Sequence, residues 1–132
     1  MIRGGRAAGM DVTAMVSELG KDSYGDSSTP LMEAAIYELS TIIEILLQCN
    51  ASTAPTNDYG QNALHKAAGN YKTTTTTTVQ LLLNNMKLED INHIDTFGRT
   101  PLDNCYEFNK SSIKQQLIDL IRQKGGKRKS EL

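Results

Sequence analysis

The side chains most capable of chemistry in this chain are two histidines, two cysteines and scattered carboxylates. His65 and His93 would bind a metal ion or carry protons only if other ligands or a nucleophile converged on them. The nearest candidates, Asp95 and Cys49, show no ligand spacing such as Cys-x-x-Cys. The sequence also lacks a Gly-x-Ser-x-Gly motif and a glycine-rich phosphate loop. We therefore expect no enzyme, no metal site, no cofactor and no small-molecule substrate.

A run of six threonines, Thr73–Thr78, is the most unusual polar segment. Threonine is β-branched and forms helices poorly, so the run favours an irregular loop. We expect a solvated connector whose last members cap the helix that follows. A modification or docking site is the alternative interpretation.

The C-terminal segment 125–132 is basic. Lys127-Arg128-Lys129 could contact an acidic partner or act as a nuclear import signal. Ser130-Glu131-Leu132 resembles a C-terminal PDZ ligand. Because both motifs are short, we expect a disordered, solubilising tail.

The composition describes one modest domain. The chain has 132 residues, 39% of them hydrophobic, and a formal net charge of −1, which disfavours nucleic acid as a partner. It contains no run of 18 apolar residues, so we expect no membrane span. Residues 1–10 lack the apolar core of a secretory signal and are predicted to be a disordered leader. With two cysteines expected to be free thiols, these features predict an intracellular, cytoplasmic protein, with nuclear entry as an alternative.

A repeated motif reveals the elements that position these side chains. The three copies begin at Thr29, Asn62 and Thr100, with separations of 33 and 38 residues. Self-similarity at this period predicts stacked structural repeats. Thr and Asn cap helices, and Pro30 and Pro101 fit the first helical position, so each copy predicts the start of a helix.

A second helix is expected in each unit. The sequences Thr41-x-x-Glu44, Thr77-x-x-Gln80 and Ser112-x-x-Gln115 match the capping box, and apolar runs follow them. The last of these helices has only one apolar stripe, as a terminal capping repeat requires. Gly125 is predicted to end it in a left-handed conformation.

Turn signals separate the units. Asn57-Asp58-Tyr59-Gly60 and Asp95-Thr96-Phe97-Gly98 combine an Asx turn initiator with glycine. Together with the helix-start motif, they make the chain similar to the ankyrin repeat family, whose repeat runs Asp-x-x-Gly-x-Thr-Pro-Leu-His-x-Ala-Ala. The resemblance implies an all-α solenoid of about three and a half stacked helix–turn–helix repeats with short finger turns. It also implies a structural hydrogen-bonding role for His65, the one histidine at the motif position.

The resemblance extends over residues 11–124. It divides them into a partial repeat (11–23), a repeat (24–56), a repeat with insertions (57–94) and a C-terminal capping repeat (95–124), followed by the tail.

The resemblance also implies where a partner would bind. Ankyrin stacks bind partners on the concave face formed by finger tips and first helices. In this chain the corresponding candidate residues are Tyr37, Asp58, Tyr59, Gln61, Thr96, Phe97, Arg99 and Phe108. Aromatic and arginine side chains are enriched in binding hot spots. We expect a monomeric, non-catalytic module, a regulator or scaffold, with an unidentified protein partner. Packing of Tyr37 and Phe108 back onto adjacent repeats stays an open alternative.

A second hypothesis is binding of a polyanion, either nucleic acid or an acidic membrane surface, through the basic C-terminal end. Residues 105–132 carry seven bases and three acids, whereas residues 11–60 carry eight acids and one base. This hypothesis predicts binding that weakens steeply with salt.

Overall fold

Helices account for all the regular secondary structure in residues 28–132, the part of the chain that the computed structural model describes. In chain order they are α1 (Pro30–Ile36), α2 (Ser40–Gln48), α3 (Ala63–Ala68), α4 (Thr77–Leu83), α5 (Leu88–Ile91), α6 (Pro101–Phe108), α7 (Lys114–Gln123) and a 3-10 helix (Lys129–Glu131). The predicted leader and the predicted partial repeat at 11–23 lie outside the described residues.

The helices pair into three hairpins, α1–α2, α3–α4 and α6–α7, which stack side by side. Helix α3 packs between α1 and α6, while α4 packs between α2 and α7. The second helices carry Leu46, Leu82 and Leu117, all of them buried. The predicted all-α solenoid is thus confirmed, with each hairpin burying its apolar face against the next. In the described ranges, no helix combines the length and the apolar character that a membrane crossing requires.

The first helices begin where the repeated motif predicts. Thr29 Oγ1 accepts from Met32 N–H at 3.1 Å, and Asn62 Oδ1 accepts from His65 N–H at 3.0 Å. Thr100 Oγ1 likewise accepts from Asp103 N–H at 3.2 Å. Each cap satisfies an amide that would otherwise lack a helical partner.

The predicted capping boxes of the second helices are wrong. Helices α2, α4 and α7 follow Leu39, Thr76 and Ile113, and none of these makes a side-chain cap hydrogen bond. Leu39 and Ile113 instead pack against the hydrophobic core. Because burying apolar surface can stabilise a helix end as much as one exposed cap does, these helices can begin without the predicted caps.

The threonine run is docked rather than solvated. Thr73 is buried and its hydroxyl donates to Asn70 O at 2.6 Å, while Thr78 is buried inside α4. The Glu38 carboxylate accepts from Thr74 N–H and Thr75 N–H at 3.0 and 3.1 Å. It also accepts from the Thr74 hydroxyl at 3.0 Å. The first half of the run therefore bonds to the preceding hairpin, which corrects the expected solvated connector.

Replacing Glu38 by Gln should loosen this loop. A neutral amide oxygen accepts more weakly than a carboxylate, and we expect a loss of about 1 kcal/mol because the site is partly exposed. Amide hydrogen exchange at Thr74 and Thr75 would measure the change, with Glu44→Gln at an exposed position of helix α2 as the matched control. Unchanged protection of both threonine amides would contradict the docking role of Glu38.

Candidate partner-binding surface

The two finger turns are held by Asx side chains acting on backbone amides. Asn57 Oδ1 accepts from Tyr59 N–H at 2.9 Å and from Gln61 N–H at 3.0 Å. Asp95 Oδ1 accepts in the same way from Phe97 and Arg99, both at 2.9 Å. Gly60 and Gly98 complete the turns with φ of 73° and 78°, a left-handed conformation that glycine adopts without strain. Both fingers are therefore predefined in shape.

The fingers also contact one another. Thr96 N–H donates to Tyr59 O at 2.9 Å. The rings of Tyr59 and Phe97 stack with centroids 5.8 Å apart and planes at 27°. This offset geometry is favourable for aromatic pairs, so the two finger tips present one continuous aromatic surface.

Arg99 extends this surface to α6, the first helix of the last hairpin. Its Cζ lies 5.6 Å from the Phe97 ring centroid and 4.9 Å from the Phe108 ring centroid. Both distances are within the range of cation–π attraction. We call Tyr59, Phe97, Arg99 and Phe108 the aromatic row.

The aromatic side chains remain accessible. Tyr37, Tyr59, Phe97 and Phe108 are 55%, 47%, 58% and 41% exposed. Tyr37 and Phe108 are thus partly covered and partly exposed, and Phe108 contacts Arg99. Large apolar side chains grouped at a surface are typical of interaction sites.

The other candidates occupy different positions. Asp58 and Thr96 are exposed on the fingers. Gln61 is half-buried and its Oε1 accepts from Asn57 Nδ2 at 3.2 Å, so part of its hydrogen-bonding capacity serves the finger itself. Tyr37 caps the end of α1. The structure brings four of the eight candidates into the aromatic row.

Tyr71 is an exposed aromatic side chain outside the aromatic row and is not among the candidates predicted from the sequence. This exposed side chain lies in the loop before the threonine run, with Lys72 Nζ 5.4 Å from its ring centroid. The loop carries inserted residues, so the repeat pattern assigns no surface position to it. Its aromatic character was the one available signal.

His65 links two repeats and stays neutral. Its Nδ1 accepts from Asn62 N–H at 3.2 Å, which places the proton on Nε2, 3.0 Å from the Arg99 carbonyl oxygen. Burial lowers the pKa of His65 to about 4, and the Arg99 carbonyl and Asp95 only partly offset this effect. The structural role implied by the resemblance is confirmed.

Asp103 occupies the position equivalent to His65 in the last repeat. Its Oδ1 accepts from Arg128 Nε at 2.8 Å, and its Oδ2 accepts from the backbone amides of Thr100 and Lys129, both at 3.0 Å. Burial alone would raise the pKa of Asp103, but these donors outweigh it and the pKa lies below its usual value. Asp103 therefore fixes the C-terminal segment.

The expected disordered tail is wrong. Thr100 Oγ1 donates to Lys127 O at 2.7 Å, and Lys127 N–H donates to Asn92 Oδ1 at 2.8 Å. Arg128 Cζ lies 4.4 Å from the Tyr106 ring centroid. Gly125 has φ of 90°, as predicted for the helix stop. Because its backbone groups are bonded to α6 and to the preceding loop, the segment forms an additional arm beside the second finger.

A cleft of about 440 Å³ separates this arm from the second finger. Its lining includes Phe97, Arg99, Asp103, Glu107, Arg128 and Lys129. The cleft is thus continuous with the aromatic row at Phe97 and Arg99.

The structure gives little support to a nucleophilic or metal-binding role for the two cysteines. Both are free thiols, and burial raises the pKa of Cys105 to about 11, which keeps it protonated at neutral pH. Within residues 28–132, no group of three or more His, Cys, Asp or Glu side chains is placed to hold a metal ion.

The family of the chain follows from sequence comparison as well as from the stacked hairpins. Residues 7–84 and 31–127 match the family model described as ankyrin repeats in three copies. The chain therefore belongs to the ankyrin repeat family, whose repeats are in general protein–protein interaction modules.

A solved structure supports the same fold. The chain is similar to an ankyrin repeat domain from Acinetobacter baumannii AYE, with 26% sequence identity and a TM-score of 0.69. The match covers 91% of this chain and 55% of that domain, so this chain spans about half of the larger domain's length. No curated protein matches the chain in sequence.

Proposed function

We propose that the protein is a non-catalytic module that binds a partner protein on the concave face, with the aromatic row as its anchor. The observation that carries this proposal is the contiguous contact from Tyr59 through Phe97 and Arg99 to Phe108, all on the finger and first-helix side. Such side chains contribute most of the binding free energy in protein interfaces.

The rigidity of the fingers supports the proposal. Four amide-to-Asx hydrogen bonds and the Thr96–Tyr59 backbone bond fix the tips before any partner arrives. Binding then costs little ordering entropy. Asp58 and Arg99 would orient the partner by charge, Thr96 and Gln61 would contribute polar contacts, and Tyr37 would extend the contact toward α1. A monomeric regulator or scaffold in the cytoplasm is the setting that we propose.

The test is a double substitution, Tyr59→Ala with Phe97→Ala. Losing two hot-spot aromatics should weaken binding at least about 100-fold, since each such truncation costs on the order of 1.4 kcal/mol or more. A partner captured from the native cell extract would be purified and titrated by calorimetry against both proteins.

Tyr71→Ala is the matched control, because Tyr71 is equally exposed but lies in the helix–helix loop. Circular dichroism would verify that each variant is folded. Full affinity of the double variant would rule out the aromatic row as the anchor.

The polyanion alternative has weaker support. The Arg128 guanidinium is already engaged by Asp103 and, at 3.8 Å, by Glu107. Binding to a phosphate backbone depends on cations that neutralise phosphates, and two carboxylates already neutralise Arg128. Binding to a heparin column that weakens steeply with salt, and that is lost in Lys127→Gln with Lys129→Gln, would favour the polyanion instead.

A further inference from the structure

We infer that the partner inserts an acidic side chain, Asp or Glu, into the cleft between the second finger and the C-terminal arm, where it binds Arg99 and Lys129. The inference rests on the proposed function and specifies the chemistry of the partner segment: an acidic residue beside apolar ones. It assigns to Lys129 of the docked C-terminal arm the contact with an acidic partner that the basic sequence Lys127-Arg128-Lys129 indicated.

Arg99 is held in place without a carboxylate. Its amide donates to Asp95 and its carbonyl accepts from His65, so the backbone is fixed on both sides. Its guanidinium is stacked by the two phenyl rings. No acid of the described residues forms an ion pair with it. A guanidinium positioned by its faces keeps its N–H edge available for a carboxylate.

Lys129 supplies a second cation on the opposite wall. Its amide is anchored on Asp103 at 3.0 Å. Its Nζ lies beside Gly98, 3.3 Å from the position that a Cβ on this glycine would occupy. Between positions 28 and 132 the ammonium group makes no ion pair. Finger and arm thus place two cations around one opening.

Arg128 differs from these two side chains. It is paired with Asp103 and Glu107 and lies over Tyr106. This pairing secures the arm and neutralises most of the cleft's own acidity. With three cations and two carboxylates in its lining, the cleft keeps one excess positive charge and favours an anionic group.

A protein segment fits this surface better than a nucleic acid. Glu107 stands half-exposed in the cleft, and Asp58 is exposed beside Tyr59 at the other end of the aromatic row. A phosphate chain running along the row would meet both acids, and like-charge contacts oppose binding. A single carboxylate bound at Arg99 and Lys129 would bring only one negative charge into the cleft, where Glu107 is paired with Arg128. Its apolar neighbours could cover the aromatic row without placing a charge near Asp58.

The experiment uses random short peptides displayed on phage and selected against the full chain. We expect the enriched peptides to combine Asp or Glu with aromatic or aliphatic residues. Each enriched peptide would be synthesised with a fluorophore and titrated by anisotropy. Arg99→Gln with Lys129→Gln should weaken binding at least about tenfold, since hydrogen bonds to charged groups contribute about 1.5 kcal/mol or more.

The matched control removes two lysines outside the cleft, Lys110→Gln with Lys124→Gln, and should leave the affinity unchanged. The complementary change is Glu→Gln or Asp→Asn in the peptide. It should lower the affinity for the wild-type protein by the same factor, and it should not lower the affinity for the Arg99/Lys129 variant any further. This comparison does not depend on the variant alone, because the peptide change leaves the protein intact.

Three outcomes would overturn the inference. Peptides that require Tyr59 and Phe97 but bind the Arg99/Lys129 variant at full strength would refute the acidic anchor and leave the proposed function standing. Peptides that bind without Tyr59 and Phe97 and also without Arg99 and Lys129 would refute both this inference and the proposed function. Tight binding of single-stranded poly-dT that is lost in the same variant would assign the two cations to nucleic acid.

Discussion

Replacing Leu82 by alanine should lower the free energy of unfolding by about 2–5 kcal/mol, the range for large-to-small changes at buried leucines. Leu82 is 0% exposed and lies in α4, the second helix of the middle hairpin, which packs between α2 and α7. Truncation would leave a cavity in the core beside a helix that packs on both neighbouring hairpins. In a short stack these interfaces cannot be replaced by others, because each hairpin packs only against its neighbours.

Equilibrium unfolding in urea, followed by circular dichroism, would measure this effect. The matched control is Leu88→Ala, the same chemical change at a side chain that is 58% exposed, which should cost no more than about 0.5–1 kcal/mol. Equal denaturant midpoints for the two variants would show that the stacked core is not organised around α4.

Acidification from neutral pH toward pH 4 should remove about 3 kcal/mol of stability through His65 alone. Burial lowers the pKa of His65 from the ordinary 6.5 to about 4 in the folded chain. The unfolded chain therefore takes up the proton first, and stability is lost as the pH falls from 6.5 to about 4. The size follows from about 1.4 kcal/mol per pKa unit over that difference.

Urea unfolding at several pH values would test the His65 titration. In His65→Gln the loss between about pH 6.5 and pH 4 should largely disappear, although the variant starts from a lower stability because it replaces a buried hydrogen-bonding ring. His93→Gln should keep most of the loss, since burial rather than its neighbour dominates the shift. A loss of stability between pH 6.5 and about pH 4 that survives in His65→Gln would contradict the assignment to His65. Asp103 would not explain it, because its pKa is lowered from 3.8 and its stabilising effect is lost only at more acid pH.

The parts of the fold that could be predicted from sequence depend on local chemistry. Thr29, Asn62 and Thr100 cap amides three residues away, and Asn57 and Asp95 hold amides two and four residues away. Such interactions involve neighbouring residues alone, so a motif is sufficient to reveal them.

Predictions failed where distant contacts override local preference. Thr41 and Ser112 match the capping-box pattern, yet their helices begin after Leu39 and Ile113, which pack against the hydrophobic core. The tail sequence is polar and short, but it is ordered by Asp103 and Asn92, which lie 26 and 35 residues upstream of the amides they bind. No pattern in the tail itself contains those partners.

The candidate surface also has a part that could be predicted from sequence and a part that could not. Tyr59, Phe97, Arg99 and Phe108 could be selected because the repeat assigns positions to them. Their mutual arrangement could not be predicted, because the Tyr59–Phe97 stacking and the two Arg99–ring contacts depend on how adjacent hairpins superimpose. The cleft depends further on the ordered arm.

The way the turns are built leaves their tips free to change. Asn57 and Asp95 bind main-chain amides, which every residue except proline possesses. These hydrogen bonds do not involve the side chains at positions 58, 59, 96 and 97. Mutations at those four positions can therefore alter recognition while the scaffold keeps its geometry. Evolution or a protein engineer could retarget this molecule by exchanging a few tip residues, without redesigning its interior.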